Sequence, residues 1–136
     1  MAAIVSFVGK SGSGKTTLIE AAVRELKKKG FRVAVVKHAH HGFEMDRPGK
    51  DSWRFAQAGS DIVAVSSPGR LAMIEHVEGE LDYDQVISRI GSKVDIVLVE
   101  GFKQSSKVKV DVSGEERGED VTKVVDFLVE QIQQSR

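Results

Sequence analysis

The segment VGKSGSGKTTL, residues 8–18, constrains this chain more than any other. Three glycines and two lysines occupy the nine positions from Gly9 to Thr17, after the apolar run AIVSFV and before a helical pattern. A short β-rich apolar run ending in glycine predicts a buried strand over residues 3–8. Leu18, Ala21, Ala22, Val23 and Leu26 recur at helical spacing, and three lysines followed by Gly30 close that pattern as a helix C-terminus, so a helix is expected over 16–29. Gly9-Lys10-Ser11-Gly12-Ser13-Gly14-Lys15-Thr16 therefore satisfies G-x-x-x-x-G-K-[ST] in a strand–loop–helix context. The glycines let the backbone wrap closely, so consecutive N–H groups point inward at phosphate oxygens. The helix that follows adds the positive end of its dipole. Lys15 is placed to reach the β- and γ-phosphates and to stabilise charge developing in an in-line transfer, and the Thr16 hydroxyl to ligate Mg²⁺. Binding of a nucleoside triphosphate is the expectation.

Further strands are expected at 32–36, 62–66, 71–76, 95–99 and 107–112, with helices at 51–58, 82–90 and 119–134. Ser67-Pro68-Gly69-Arg70 reads as the turn of a hairpin, and the alternating 107–112 segment as a half-exposed edge strand. The strands at 3, 32 and 95 are apolar on both faces, the mark of a mostly parallel sheet covered by helices. The expected fold class is thus α/β, a three-layer P-loop NTPase fold with helices on both faces and a β-hairpin extension. The 136 residues are read as a single nucleotide-binding domain, residues 1–136.

In such sheets ligands sit at the carboxyl ends of strands. Two further suggestive loops follow strand ends. VLVEGF, residues 97–102, closes a buried strand on Glu100, where a carboxylate suits the Mg²⁺ beside a phosphate loop, since Mg²⁺ takes hard oxygen ligands and keeps several waters. KHAHHGFEMDRPGKDS, residues 37–52, holds three histidines, and it adds Asp46 and Asp51 as further Mg²⁺ partners or as orienters of the attacking water. His38, His40 and His41 invite a zinc or nickel reading, but adjacent histidines without a paired second site better suit phosphate or partner contacts.

Composition excludes several classes. Lys plus Arg equals Asp plus Glu at 20 each, so net charge points to neither nucleic acid nor an anionic membrane. With no cysteine there is no disulfide framework and no thiolate metal site, and a cytoplasmic home fits. No apolar run reaches the ~18 residues of a membrane span, and no signal-peptide pattern is present.

Together, G-x-S-G-x-G-K-T-T-L, KHAHH, D-x-P-G-K-D-S followed by Ala58-Gly59, and VEGFK resemble the MobB family, adaptor proteins of molybdopterin-guanine dinucleotide biosynthesis. The resemblance covers roughly residues 3–112, in order and spacing. It implies a GTP-binding, usually homodimeric protein with weak Mg²⁺-dependent GTPase activity. Its partner would be the guanylyltransferase of the molybdenum cofactor, which joins GMP to molybdopterin. By this resemblance Gly12, Gly14, Lys15, Thr16 and Thr17 bind phosphates and Mg²⁺. Lys37, His38, His41, Asp46, Lys50 and Asp51 form the loop facing the nucleotide, and Glu100 is the Mg²⁺-side acid. The form GKSGSGKT also resembles the deviant phosphate loop of dimeric ATPases, whose early lysine, here Lys10, reaches the partner's nucleotide. The plainer reading of Lys10 is a solvated lysine near phosphate.

Two departures stand out. After VEGFK the family runs P-K-I-x-V and an arginine, both altered here. Family members then carry more chain, including a strand ending in A-x-x-S-D, where guanine is expected to be read. This chain has no asparagine and no [NT]-K-x-D motif. Ser92-Lys93-Val94-Asp95 comes near it but enters the wrong end of its strand. Asp111, Glu115, Glu116 and Asp120 are the substitutes, or the base is held loosely. Other readings are an ATP-dependent enzyme of the dethiobiotin synthetase or kinase type, which also carries VEG after a strand, a nickel- or zinc-handling GTPase, and a binding module that has lost base reading.

Overall fold

Alternate residues of the strand Ile96–Glu100 face opposite layers, and both sets are buried. Ile96 and Leu98 pack with Ala3, Val5 and Phe7 against Ile19, Ala22, Leu26, Val125, Leu128 and Ile132. Val97 and Val99 pack with Val36 against Ile87. A strand covered on both sides cannot alternate apolar with polar, which is why this segment reads as a continuous hydrophobic run.

The structure is a computed structural model. It describes residues 1–136 except Ser11, Ser13, His40, His41, Glu44, 103–106 and 113–120. In chain order the elements are β1 (Ala3–Val8), α1 (Lys15–Lys28), β2 (Val33–Lys37), α2 (Asp51–Gln57), β3 (Ile62–Ser67), β4 (Arg70–Glu75), α3 (Tyr83–Ile90), β5 (Ile96–Glu100), β6 (Lys109–Asp111) and α4 (Val121–Gln134). A single 3₁₀ turn, Gly91–Lys93, joins α3 to β5.

The chain divides into two compact units, Met1–His40 with Asp82–Arg136, and His41–Leu81. The first holds a four-stranded sheet of order β2-β5-β1-β6 in which every pairing is parallel. Helices α1 and α4 cover one face and α3 the other. This is the expected three-layer α/β architecture. The second unit holds α2 and the β3–β4 hairpin, paired antiparallel from Ile62↔Glu75 to Ser67↔Arg70. The two residues left for the turn are Pro68 and Gly69. Gly69 has φ +80°, a conformation open to glycine at the second turn position after proline.

Boundaries differ from the sequence reading by a residue or two, where caps and strand ends fray. One difference is larger. β2 is an edge strand rather than a fully buried one, and its Val35 is 49% exposed. Its apolar run reflects the helices over the sheet, which periodicity does not separate from a neighbouring strand. Asp82 caps α3 through a capping box: its carboxylate accepts from the Gln85 amide at 2.8 Å, while the Gln85 side chain accepts from the Asp82 amide at 2.9 Å.

The end of the sheet remote from the phosphate loop is tied by Asp95. One carboxylate oxygen accepts from the Arg32 amide at 2.7 Å, and the other meets the Arg136 guanidinium at 3.2 Å. Asp95 is thus spent on structure at the N-terminal end of β5, which supports its rejection as a base reader. The Arg32 amide, aided by Arg136, holds its carboxyl below the ordinary value of 3.8 against a smaller opposing desolvation. A lowered carboxyl pKa adds stability above the unfolded value, and that stability is lost as pH falls through the folded one. Asp95→Asn is therefore expected to be less stable than wild type at neutral pH, with the gap closing as pH drops below about 4. Urea denaturation at both ends of that range measures it.

Candidate functional site

β1 ends at Val8, and the chain turns at once through glycines that other residues could not replace cheaply. Gly9, Gly12 and Gly14 have φ of +149°, +78° and +90°. Gly14 is the N-cap of α1, in the left-handed region, and it offers no side-chain cap to the helix amides. No acid occupies the first turn of α1. Gly14 thus gives the amides that begin the helix no cap and no acid sits in its first turn, an arrangement that suits an external anion.

Lys15, the first residue of α1, folds back across this loop. Its Nζ donates to the Gly9 carbonyl at 2.7 Å and is partly buried. The ammonium is thereby held over the loop. Thr16 and Thr17 follow in the exposed first turn, and Lys10 is exposed. Ser11 and Ser13 lie outside the described residues.

Glu100 is in register with Phe7 of β1 on one side and with Lys37 of β2 on the other. Its carboxylate, half-buried, thus stands at the carboxyl edge of three parallel strands, one residue short of the loop that begins after Val8. His38 continues the ladder: its amide donates to the Glu100 carbonyl at 2.9 Å. On the far side of β1 the ladder likewise runs on, with the Val112 amide donating to the Val8 carbonyl at 2.8 Å, and Asp111 is in register with Val8. Lys15, Thr16, Lys37, His38, Glu100 and Asp111 therefore all belong to one edge of the first unit. Thr16 and Glu100 supply the hard oxygens that suit Mg²⁺.

The remaining candidates belong to the second unit. The Asp46 carboxylate accepts from the Arg47 amide at 3.0 Å, and the Asp51 carboxylate from the Ser52 amide at 2.7 Å. Asp51 is the first residue of α2 rather than its cap, a position taken by Lys50 in an extended conformation. His41 and His40 lie outside the described residues. Among the described residues no three His, Asp or Glu side chains gather as a metal cluster. A cleft of about 90 Å³ in this unit, walled by Trp53, Met45 and Ile74, is too small for a nucleotide.

Two residues carry more of the site than their sequence context signals. Gly101, with φ +92°, passes so close to His38 that a Cβ there would lie 2.8 Å from the His38 carbonyl oxygen. Phe102 then places its ring 4.8 Å from the His38 imidazole. A glycine following a strand-end acid is the available cue to the first, since glycine is the residue for close backbone approach.

Gly101→Ala is expected to cost about 2 kcal/mol or more in urea denaturation, because both the backbone conformation and the contact oppose it. Gly91→Ala, whose Cβ would meet only Ile87 at 3.9 Å with φ −61°, is the neutral control.

Comparison with known proteins agrees with this geometry. A sequence model of the family described as "Molybdopterin guanine dinucleotide synthesis protein B" matches residues 4–131. The molybdopterin-guanine dinucleotide biosynthesis adapter protein of Haemophilus influenzae is 35% identical over 127 residues, 93% of this chain and 71% of that protein. The corresponding Escherichia coli protein is 39% identical over 113 residues, 81% of this chain and 65% of that one. The chain thus spans about two-thirds of each relative's length. A crystal structure of a molybdopterin-guanine biosynthesis protein B superposes with a TM-score of 0.77 at 30% identity, covering 96% of this chain and 99% of that one.

Proposed function

We propose, from the premise that this chain belongs to the MobB family of molybdopterin-guanine dinucleotide synthesis proteins, that it is a GTP-binding adaptor acting in the assembly of that cofactor. The observation that carries the nucleotide part is Lys15 drawn over a glycine loop, at the head of a helix with no acid in its first turn, next to the strand that ends on Glu100.

In this reading the triphosphate takes the loop amides of Gly9–Gly14 and of Thr16 and Thr17, and its oxygens replace the Gly9 carbonyl as the acceptor of the Lys15 ammonium. Lys10, Ser11 and Ser13 line the same loop. Mg²⁺ would be held by the Thr16 hydroxyl and the Glu100 carboxylate and would supply charge neutralisation on the phosphates. Lys37 and His38, at the end of β2 and just after it, face the nucleotide. Hydrolysis is weak, as the resemblance to the family implies. Asp111, whose register beside Val8 brings it to the mouth of the phosphate loop, is the described residue best placed to meet the base.

The partner is the guanylyltransferase that joins GMP to molybdopterin, and the chain works as a homodimer. The hairpin supports the second statement. Ile62 and Ala64 of β3 share one face with Leu71 and Met73 of β4, and Leu71 and Met73 are 66% and 58% exposed. A contiguous apolar face of that kind is what a second copy covers.

Calorimetry with GTP and ATP, each with and without Mg²⁺, tests the first claim. Micromolar GTP binding with far weaker ATP binding is expected, and Lys15→Ala abolishes it. Equal affinities would remove the guanine-specific part. Light scattering tests the second: Leu71→Asp with Met73→Asp is expected to convert a dimer to a monomer. A parallel fall in GTP affinity would be the sign of a lysine, Lys10, supplied across the dimer.

A further inference from the structure

We propose that Phe102 is a positioning residue of the nucleotide site: braced by Tyr83, its ring holds the His38 imidazole at the carboxyl edge of the sheet beside Glu100. The proposal rests on the nucleotide reading given above and deepens it. It names the part of the core that orients a side chain facing the nucleotide.

The geometry starts from register. Lys37 and Glu100 are partners, so β2 and β5 leave the sheet side by side, and the His38 amide adds one more rung on the Glu100 carbonyl at 2.9 Å. The next residue of β5's exit, Gly101, turns at φ +92° against the His38 backbone, with no room for a side chain. That close pass brings Phe102 over His38. The ring centroids are 4.8 Å apart with planes tilted by 37°. Such a separation is direct packing, within the range of favourable aromatic pairs.

Phe102 is itself fixed from behind. Tyr83 meets it edge to face, with centroids 5.6 Å apart and planes at 79°. Tyr83 is the first residue of α3, and its place is set by the capping box of Asp82 and Gln85. Both rings pack on the buried cluster of Val36, Ile87, Val97 and Val99. A row therefore runs from the core through Tyr83 and Phe102 to His38. Side chains that act at a site need neighbours whose own conformations are locked, and small displacements lower rates steeply. One side of His38 is thus set by the row.

The test uses the full chain. Phe102→Leu keeps an apolar group but removes the ring. It is expected to move the His38 imidazole proton resonances away from their ring-shifted positions. Single-turnover GTP hydrolysis should fall about tenfold, with the GTP dissociation constant held within about twofold. Phe102→Tyr restores both readouts. Tyr83→Leu, which leaves the Phe102 ring in place but unbraced, gives a smaller change in the same direction and serves if Phe102→Leu folds poorly. Hydrolysis and His38 resonances unchanged in both variants, with wild-type GTP binding intact, would overturn the positioning role alone. A wild type that binds no GTP in Mg²⁺ while its His38 resonances still respond to Phe102→Leu would overturn the nucleotide reading, and this role with it.

Discussion

Glu100 stands in register with Phe7 and with Lys37, and most of the site follows from that alignment. Three parallel strands that end level deliver three chain exits to one edge. Parallel pairing demands a crossover between each strand and the next, so the exits come from distant parts of the sequence yet emerge together. The phosphate loop leaves β1, the histidine segment leaves β2, and the acid closes β5. A slip of one residue in β5 would turn Glu100 to the other face of the sheet and take its carboxylate away from this position. The register is held by burial: Val97, Leu98 and Val99 fill two different cores, and neither accepts the other's set.

Around that edge the backbone is arranged before any ligand arrives. Gly12, Gly14 and Gly101 adopt conformations that cost an L-residue on the order of 1–2 kcal/mol each. Lys15 is already drawn across the loop by the Gly9 carbonyl. An ammonium tethered this way loses less side-chain freedom when a phosphate replaces the carbonyl, and the exchange is one acceptor for a more strongly charged one. The Gly12 and Gly14 turns and the Lys15 tether are therefore set by the chain itself.

Much of this was legible in the sequence. The apolar runs at 3–8 and 95–99 could only be central strands of a covered sheet, and G-x-x-x-x-G-K-T between strand and helix placed the loop and Lys15. The family was readable from KHAHH, the D-x-P-G-K-D-S segment and VEGFK taken together. What periodicity did not reveal was strand order, so β2 read as interior although it is an edge. Nor did it reveal the contact of Phe102 with His38, because residues 64 positions apart meet only through register and a glycine turn. Division into two units was also hidden, since His41–Leu81 carries strand and helix signals as strong as the rest.

That second unit sets a different physical problem. None of its described residues is buried, and its hairpin exposes Ile62, Val65, Leu71 and Met73. Two strands and a seven-residue helix give little area to remove from water, and isolated hairpins are marginal even with good turns. Yet the segment is not composed like a disordered one, for it carries valine, isoleucine and aromatic residues where disordered chains carry few. Apolar strand faces without a core of their own are stable only when something outside the unit covers them. In the proposed homodimer a second copy of the hairpin meets that demand with the same surface on both sides, because a two-fold interface is self-complementary. The order of the segment and the assembly state of the protein are then one question rather than two, and Leu71 and Met73 sit where they meet.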